Sequence, residues 1–430
     1  MSEHRISTLD NGVRVITERM ENVRSVALGF WIATGSAMET LEQAGISHLL
    51  EHMLFRGAGE LNSREIDEFF DGMGAEVNAG TDRETTSLYT RVLDRHCPRA
   101  LAVMGEMIWR PRFEDLNAER EVVLEEIAMY EDDPQDRVFD ELGKAVFGEH
   151  PLGRAVIGRA EVVRGVQLDG LRAFHAERYR PDRVVAAAAG SVEHEQLVAM
   201  VAEACSQMAV PEGPPQALAD PGEGGCEPDF KRRVRFLRKD TEQYHVCLGG
   251  RGIARNDERR FALRVLEGVL GGTSSSRLFQ EVRERRGLAY SVFCFSNLHA
   301  HAGEVGLYVG TRPDNLVEAM ATIASELQRF VEEPASLREL DRSRENVKGR
   351  MVLSLESTVA RMNRLGASLL AQMPILSVDE IVDRLDAVTL QDMQALAAEL
   401  FASERLSVAG VGAEESLFEQ SLQILAPVPS

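Results

Sequence analysis

Two stretches of this sequence read as versions of one unit, and the segment between them holds the period of neither a helix nor a strand. Between Val210 and Asp229 the chain runs Pro211-Glu212-Gly213-Pro214-Pro215 and then Pro221-Gly222-Glu223-Gly224-Gly225, the composition of a linker. Before it, Val166-Gln167-Leu168-Asp169-Gly170-Leu171 leads to Arg183-Val184-Val185-Ala186-Ala187-Ala188-Ala189-Gly190. After it, Val388-Thr389-Leu390-Gln391-Asp392-Met393 leads to Arg405-Leu406-Ser407-Val408-Ala409-Gly410. Each reads as a helix followed by a strand. Leu49-Leu50-Glu51-His52-Met53-Leu54 also lines up with Val265-Leu266-Glu267-Gly268-Val269-Leu270. The duplication predicts an N-terminal domain over residues 1–210, a linker over 211–229 and a C-terminal domain over 230–430. A chain of 430 residues suits that division, because single cores stop growing near roughly 250–300 residues.

Within each half, apolar β-branched runs such as Ser25 to Ala33 and Val184 to Ala189 alternate with long amphipathic helical stretches. Asn11-Gly12 is a hairpin turn signal, which makes the opening strands antiparallel. Ala75-Glu76-Val77-Asn78-Ala79-Gly80-Thr81 alternates and precedes Thr85-Thr86-Ser87-Leu88-Tyr89-Thr90, so the two read as a strand pair with Asp82-Arg83-Glu84 at the bend. The expected class is α+β.

The chemistry concentrates in the first half. His48-Leu49-Leu50-Glu51-His52 sits in the apolar stretch Ile46 to Phe55, which reads as a buried helix. Residues i, i+3 and i+4 share a helix face, so His48 and His52 converge with Glu51 beside them. Zinc favours neutral imidazole nitrogens, and a catalytic site leaves one position for water. The same pentapeptide also suits a pair of core histidines satisfied by backbone carbonyls. A helix from about Asp115 to Tyr130 carries Glu119, Glu121, Glu125 and Glu126. Glu119 and Glu126 lie two turns apart on one face, with Val122 and Val123 between them on the expected inward side. Glu121 and Glu125 point outward. Four such glutamates could equally form an acidic surface. In the second half Arg264 stands opposite His48 and Gly268 opposite His52, so that half keeps the shape without the histidines.

This pattern resembles the inverted-motif zinc peptidases that include pitrilysin, insulin-degrading enzyme and mitochondrial processing peptidase, and most of all the short members like the processing-peptidase beta subunit. They share His-x-x-Glu-His followed some seventy residues later by two glutamates seven apart. Glu119-Arg120-Glu121-Val122-Val123-Leu124-Glu125-Glu126-Ile127, Asp133-Pro134, Asn11-Gly12-Val13-Arg14-Val15 and His150-Pro151-Leu152-Gly153 carry the likeness along the chain. The resemblance implies one zinc per chain on His48, His52 and Glu126, with Glu51 as the base that activates water and Glu119 as an accessory carboxylate. It implies that Asn78 and Ala79 lie on an open strand to which an extended peptide adds. Arg283 and Tyr290, seven apart across Arg286-Gly287-Leu288-Ala289, match an arginine–tyrosine pair that reaches the substrate. It implies two similar half-domains facing each other as a clamshell. The expected function is a metalloendopeptidase acting on unfolded peptides or precursor segments, working as a homodimer or with a related subunit.

Forty-eight basic against sixty-nine acidic residues give a formal charge of -21, which argues against nucleic acid or an anionic membrane and permits basic peptides. The start Met1-Ser2-Glu3-His4-Arg5 lacks the layout of a signal peptide, and no apolar run is long enough to span a bilayer. A cytoplasmic location is expected. Cys97, Cys205, Cys226, Cys247 and Cys294 are scattered and odd in number, so thiols are expected rather than disulfides or a thiolate metal site. Gly271-Gly272-Thr273-Ser274-Ser275-Ser276-Arg277 lacks the lysine of a phosphate-cradling loop, and a helix from Leu278 to Arg286 follows it. Two other readings stand beside the peptidase. One is a non-catalytic partner subunit, and the other is a structural zinc closed by a fourth ligand such as His96 or His150.

Overall fold

Gly12 takes φ +94°, the left-handed conformation a tight hairpin requires, and Asn11 Oδ1 accepts from the Val13 amide at 3.3 Å. The turn sets β1 (His4–Thr8) antiparallel to β2 (Arg14–Arg19), with Ile6 opposite Ile16. A computed structural model describes residues 4–208 and 227–423. Most of the expected linker, and Cys226, lies outside the described residues.

The first sheet is completed by β3 (Ser25–Ile32), β4 (Val77–Thr81), β5 (Thr86–Leu93) and β6 (Val184–Gly190), in the order β1-β2-β6-β3-β5-β4. Only β2 and β6 pair in parallel. β4 and β5 meet with Thr81 opposite Thr86, which leaves β4 at the open edge. β6 is buried along its whole length, so both faces of the sheet centre need cover. On one face pack α1 (Ile46–Met53), the helix Cys97–Trp109 and part of α2 (Leu116–Asp132), through Leu49, Met104 and Val123. On the other face Ile16, Trp31 and Ala187 meet Met362 and Leu365 of the helix Thr358–Leu370. The fit is close: a β-carbon on Gly366 would fall 2.3 Å from the Trp31 ring. Truncating Leu365 to Ala there would cost about 2–5 kcal/mol.

The second sheet repeats the plan. It consists of β7 (Val234–Arg238), β8 (Tyr244–Arg251), β9 (Ala289–Leu298), β10 (Gly303–Thr311) and β11 (Ser407–Gly412), ordered β7-β11-β8-β10-β9. Its core includes α3 (Arg260–Leu270), whose Val265, Leu266 and Val269 are buried, and Leu340 of α4 (Leu337–Ser354). The helix Pro134–Phe147 lies against β7, β8 and β11, and Leu142 closes on Gly249. Asp133 caps that helix through the amides of Gln135 and Asp136, and Pro134 follows as a pre-set first residue.

Each compact unit is therefore discontinuous. The first holds Met1–Ile127, Val156–Gly222 and Leu353–Ser377, and the second holds Ala128–Ala155, Glu223–Val352 and Val378–Ser430. The continuous division at residues 210 and 230 does not describe this exchange. Its cause is the need to cover each sheet's second face, which a helix from the opposite stretch of sequence supplies. The duplication itself is plain: helix Leu168–Arg178 leads to β6, and helix Leu390–Leu400 leads to β11.

Candidate metal centre

α1 begins at Gly45, whose φ of +103° turns the chain into the helix. Its first amides are satisfied by a residue from outside the motif. Glu39 Oε2 accepts from the Gly45 amide at 2.8 Å and Glu39 Oε1 from the Ser47 amide at 2.7 Å, both buried. A carboxylate there also suits the positive end of the helix. With Leu49, Leu50 and Met53 fully buried on the same helix, His48 and His52 have little freedom to turn away.

The two imidazole rings meet edge to face with centroids 4.8 Å apart. Both Nε2 atoms turn to one carboxylate of α2: His48 lies 3.6 Å from Glu126 Oε1, and His52 lies 3.3 Å from Glu126 Oε2. Ligand atoms of His48, His52 and Glu126 all lie within 4.8 Å of one another. A tetrahedral zinc with bonds of about 2.0–2.2 Å sets its ligand atoms roughly 3.3–3.6 Å apart, so this set fits zinc. Burial, helped by the neighbouring His52, holds the His48 imidazole down at about 4. It therefore stays neutral near pH 7, as a metal ligand must. His52 Nδ1 lies 2.8 Å from Glu119 Oε1, and the other oxygen of Glu119 accepts from Arg56.

Glu51 stands beside the cluster on the same helix. Its Oε2 accepts from the Thr81 hydroxyl at 2.7 Å. Burial pushes its carboxyl above the usual range and Glu126 adds to this, while Thr81 and His52 pull it back. A carboxylate raised in this way is a better proton acceptor near neutral pH.

The exposed face of α2 differs in part from expectation. Glu121 and Glu125 are exposed and Val123 is fully buried, but Val122 is 49% exposed rather than turned inward. The helix presents a narrow stripe of Glu119, Val123 and Ile127 to the core, with room for only one of the two valines. His96 accepts from Arg95, His150 Nδ1 accepts from the Leu152 amide, and neither belongs to the cluster. Three residues, His48, His52 and Glu126, thus form the group that could hold a metal among the described residues.

In the second unit the counterpart of α1 is closed against any such site. A β-carbon on Gly268 would lie 2.2 Å from Ser343 Oγ of α4, which donates to the Val265 carbonyl at 2.7 Å. An imidazole at this position has no room. Residues 14–160 match the family described as Insulinase (Peptidase family M16), and residues 165–347 match Peptidase M16 inactive domain. A Bacillus subtilis protein named as an uncharacterized zinc protease is 41% identical over 399 residues, covering 92% of this chain and 95% of its own. The chain belongs to the M16 peptidase family. A Streptomyces coelicolor protein, likewise named as an uncharacterized zinc protease, is 40% identical over 410 residues, covering 95% of this M16 chain and 89% of its own. The crystal structure of a protease from Helicobacter pylori shares the fold at a TM-score of 0.89 and 21% identity, over 96% of this chain and 99% of that one.

Asn78 and Ala79 lie on β4 at the open edge of the first sheet, Asn78 exposed and Ala79 half-buried. In the second unit the Arg283 guanidinium lies 4.6 Å from the Tyr290 ring centre and 4.7 Å from that of Phe279. Tyr290 is 77% exposed, so it is not a packed strand residue. The helix expected over Leu278–Arg286 is one wide turn, Phe279–Glu284. Cys97, Cys205, Cys247 and Cys294 are free thiols, and no helix among the described residues is long and apolar enough to cross a membrane. Sequence reasoning did not find Glu39, Arg56 or Thr81. Arg56 was within reach, since it follows His52 by one turn.

Proposed function

We propose that this chain is a zinc-dependent metalloendopeptidase that hydrolyses peptide bonds in extended, unfolded peptides. The observation that carries the reading is the convergence of His48, His52 and Glu126 with a proton-accepting carboxylate, Glu51, on the same helix. His48, His52 and Glu126 would hold the metal, and Glu119 would fix His52 through Nδ1. Bound zinc would supply a Lewis acid that polarises the scissile carbonyl and makes water acidic near pH 7. Glu51 takes the proton from the attacking water and delivers it to the leaving amine. The open edge at Asn78 and Ala79 would align an extended peptide by main-chain hydrogen bonds. Arg283 and Tyr290 would bind the substrate, and the acidic balance of the chain, -21, favours basic peptides.

The test is Glu51→Gln, which keeps shape and all three ligands. Zinc should stay bound at one per chain, while hydrolysis of a quenched unfolded peptide falls on the order of 10²–10⁴-fold. Turnover near the wild-type rate would remove Glu51 from the mechanism.

A further inference from the structure

Thr81 is the last residue of the edge strand β4, and it touches the proposed base. Its hydroxyl donates to Glu51 Oε2 at 2.7 Å across 30 residues of sequence, and its backbone amide faces the same carboxylate. Thr81 is itself anchored by its pairing with Thr86 of β5. Glu51 has other neighbours in His52, Glu126 and the buried Tyr179, but Thr81 is the one that comes from the strand. Two residues back lies Ala79, and between them Gly80 opens onto space, with only Ser87 Oγ at 4.0 Å from where a β-carbon would sit.

We propose that Thr81 is a positioning residue that ties the open strand to the base. It holds one oxygen of Glu51 so that the other faces the attacking water when a peptide pairs with β4. This rests on the peptidase reading above. A carboxylate without such a donor would rotate about its terminal torsion, which is broad and roughly two-fold. A peptide that draws β4 into regular pairing would then also settle the carboxylate. The Thr81 hydroxyl donates to Glu51 and not to His48, His52 or Glu126, so its effect belongs to turnover and not to metal binding.

Thr81→Val keeps the branched shape and the strand preference but removes the donor, and Thr81→Ser keeps the donor. For Thr81→Val we expect kcat on an unfolded peptide to fall roughly ten- to a hundredfold, the worth of a hydrogen bond to a charged group. KM, zinc content and melting temperature should stay at wild-type values. Thr81→Ser should recover kcat to within a few-fold. As a readout independent of turnover, Glu51→Gln and Glu51→Gln/Thr81→Val should bind a fluorescent, uncleaved peptide with the same Kd. Wild-type kcat in Thr81→Val overturns the inference, as does loss of zinc, a weakened Kd, or a Thr81→Ser variant as slow as Thr81→Val. If zinc-loaded wild-type protein itself leaves unfolded peptides intact, the peptidase reading fails, and that is seen before any variant is compared.

Discussion

Glu119 Oε1 lies 2.8 Å from His52 Nδ1, on the side of the ring away from Glu126. A proton on Nδ1 satisfies that contact and leaves the lone pair of Nε2 directed toward Glu126, which is the tautomer a metal ligand needs. Arg56 occupies the second oxygen of Glu119, so a carboxylate only 4% exposed is paired on both sides. Histidine, glutamate and arginine thus form one chain of contacts that orients the ring.

Glu119→Gln keeps an acceptor for His52 but removes the charge that Arg56 pairs with. We expect zinc affinity to fall about 10–100-fold, as for other partners of metal-ligating histidines. Competition against a chelator of known affinity measures it. An unchanged affinity would reduce Glu119 to a buried packing residue.

The ligand set makes a sharper claim. His48→Ala and Glu126→Gln should each lose stoichiometric zinc, whereas Glu125→Gln should retain it, because Glu125 is exposed and Glu126 faces both imidazoles. Metal analysis of the purified variants decides this. Zinc lost in Glu125→Gln and kept in Glu126→Gln would reverse the assignment.

The parts of this structure legible in the sequence are those set by local periodicity. The i, i+4 spacing of His48 and His52 and the i, i+7 spacing of Glu119 and Glu126 place their side chains on single faces. Asn11-Gly12 likewise marks its own turn, and the pairing of β4 with β5 follows from alternation. What was not legible depends on contacts far apart in sequence. Thr81 reaches Glu51 across 30 residues, and helix Thr358–Leu370 covers a sheet whose strands end near residue 190. Nothing in the local pattern of either segment names its partner. Val122 shows the remaining limit: a helix with a narrow buried stripe hides one of two adjacent valines, and the sequence alone does not say how narrow that stripe is.

Acid stability should report an ion pair of the second unit. Arg277 donates to both oxygens of Glu339 at 2.8 and 3.1 Å, and the Ser336 amide and hydroxyl also donate, holding the Glu339 carboxyl down at about 2 from its ordinary 4.5. The folded state therefore binds this proton less readily than the unfolded one. The stabilisation is fully present above pH 4.5 and is lost as pH falls toward about 2. Discounted for the solvent-facing side of the pair, it is worth about 1–2 kcal/mol. The melting-temperature gap between wild type and Glu339→Gln should be widest above pH 4.5 and close as pH falls toward about 2. A gap constant down to that pH would mean that the pair does not set stability.

Arg283 and Tyr290 test whether the second unit takes part in the chemistry. The guanidinium lies against the rings of both Phe279 and Tyr290, which holds Arg283 in place, yet Tyr290 leaves 77% of its surface exposed and its hydroxyl has no hydrogen-bond partner among the described residues. On the proposed function, the stacked guanidinium and the tyrosine hydroxyl would be the donor pair offered to a bound peptide. Tyr290→Phe preserves the ring and the stacking and deletes only the hydroxyl. A donor directed at a developing oxyanion is worth on the order of 10²–10³ in kcat, whereas an exposed hydroxyl contributes almost nothing to folding. We therefore expect a large fall in turnover with zinc content and melting temperature unchanged. Arg283→Ala should give a similar loss with a slightly lower melting temperature, because it also removes the stacking on Phe279. If both variants cleave peptides at the wild-type rate, neither side chain acts on the substrate, and the second unit contributes to folding rather than to hydrolysis.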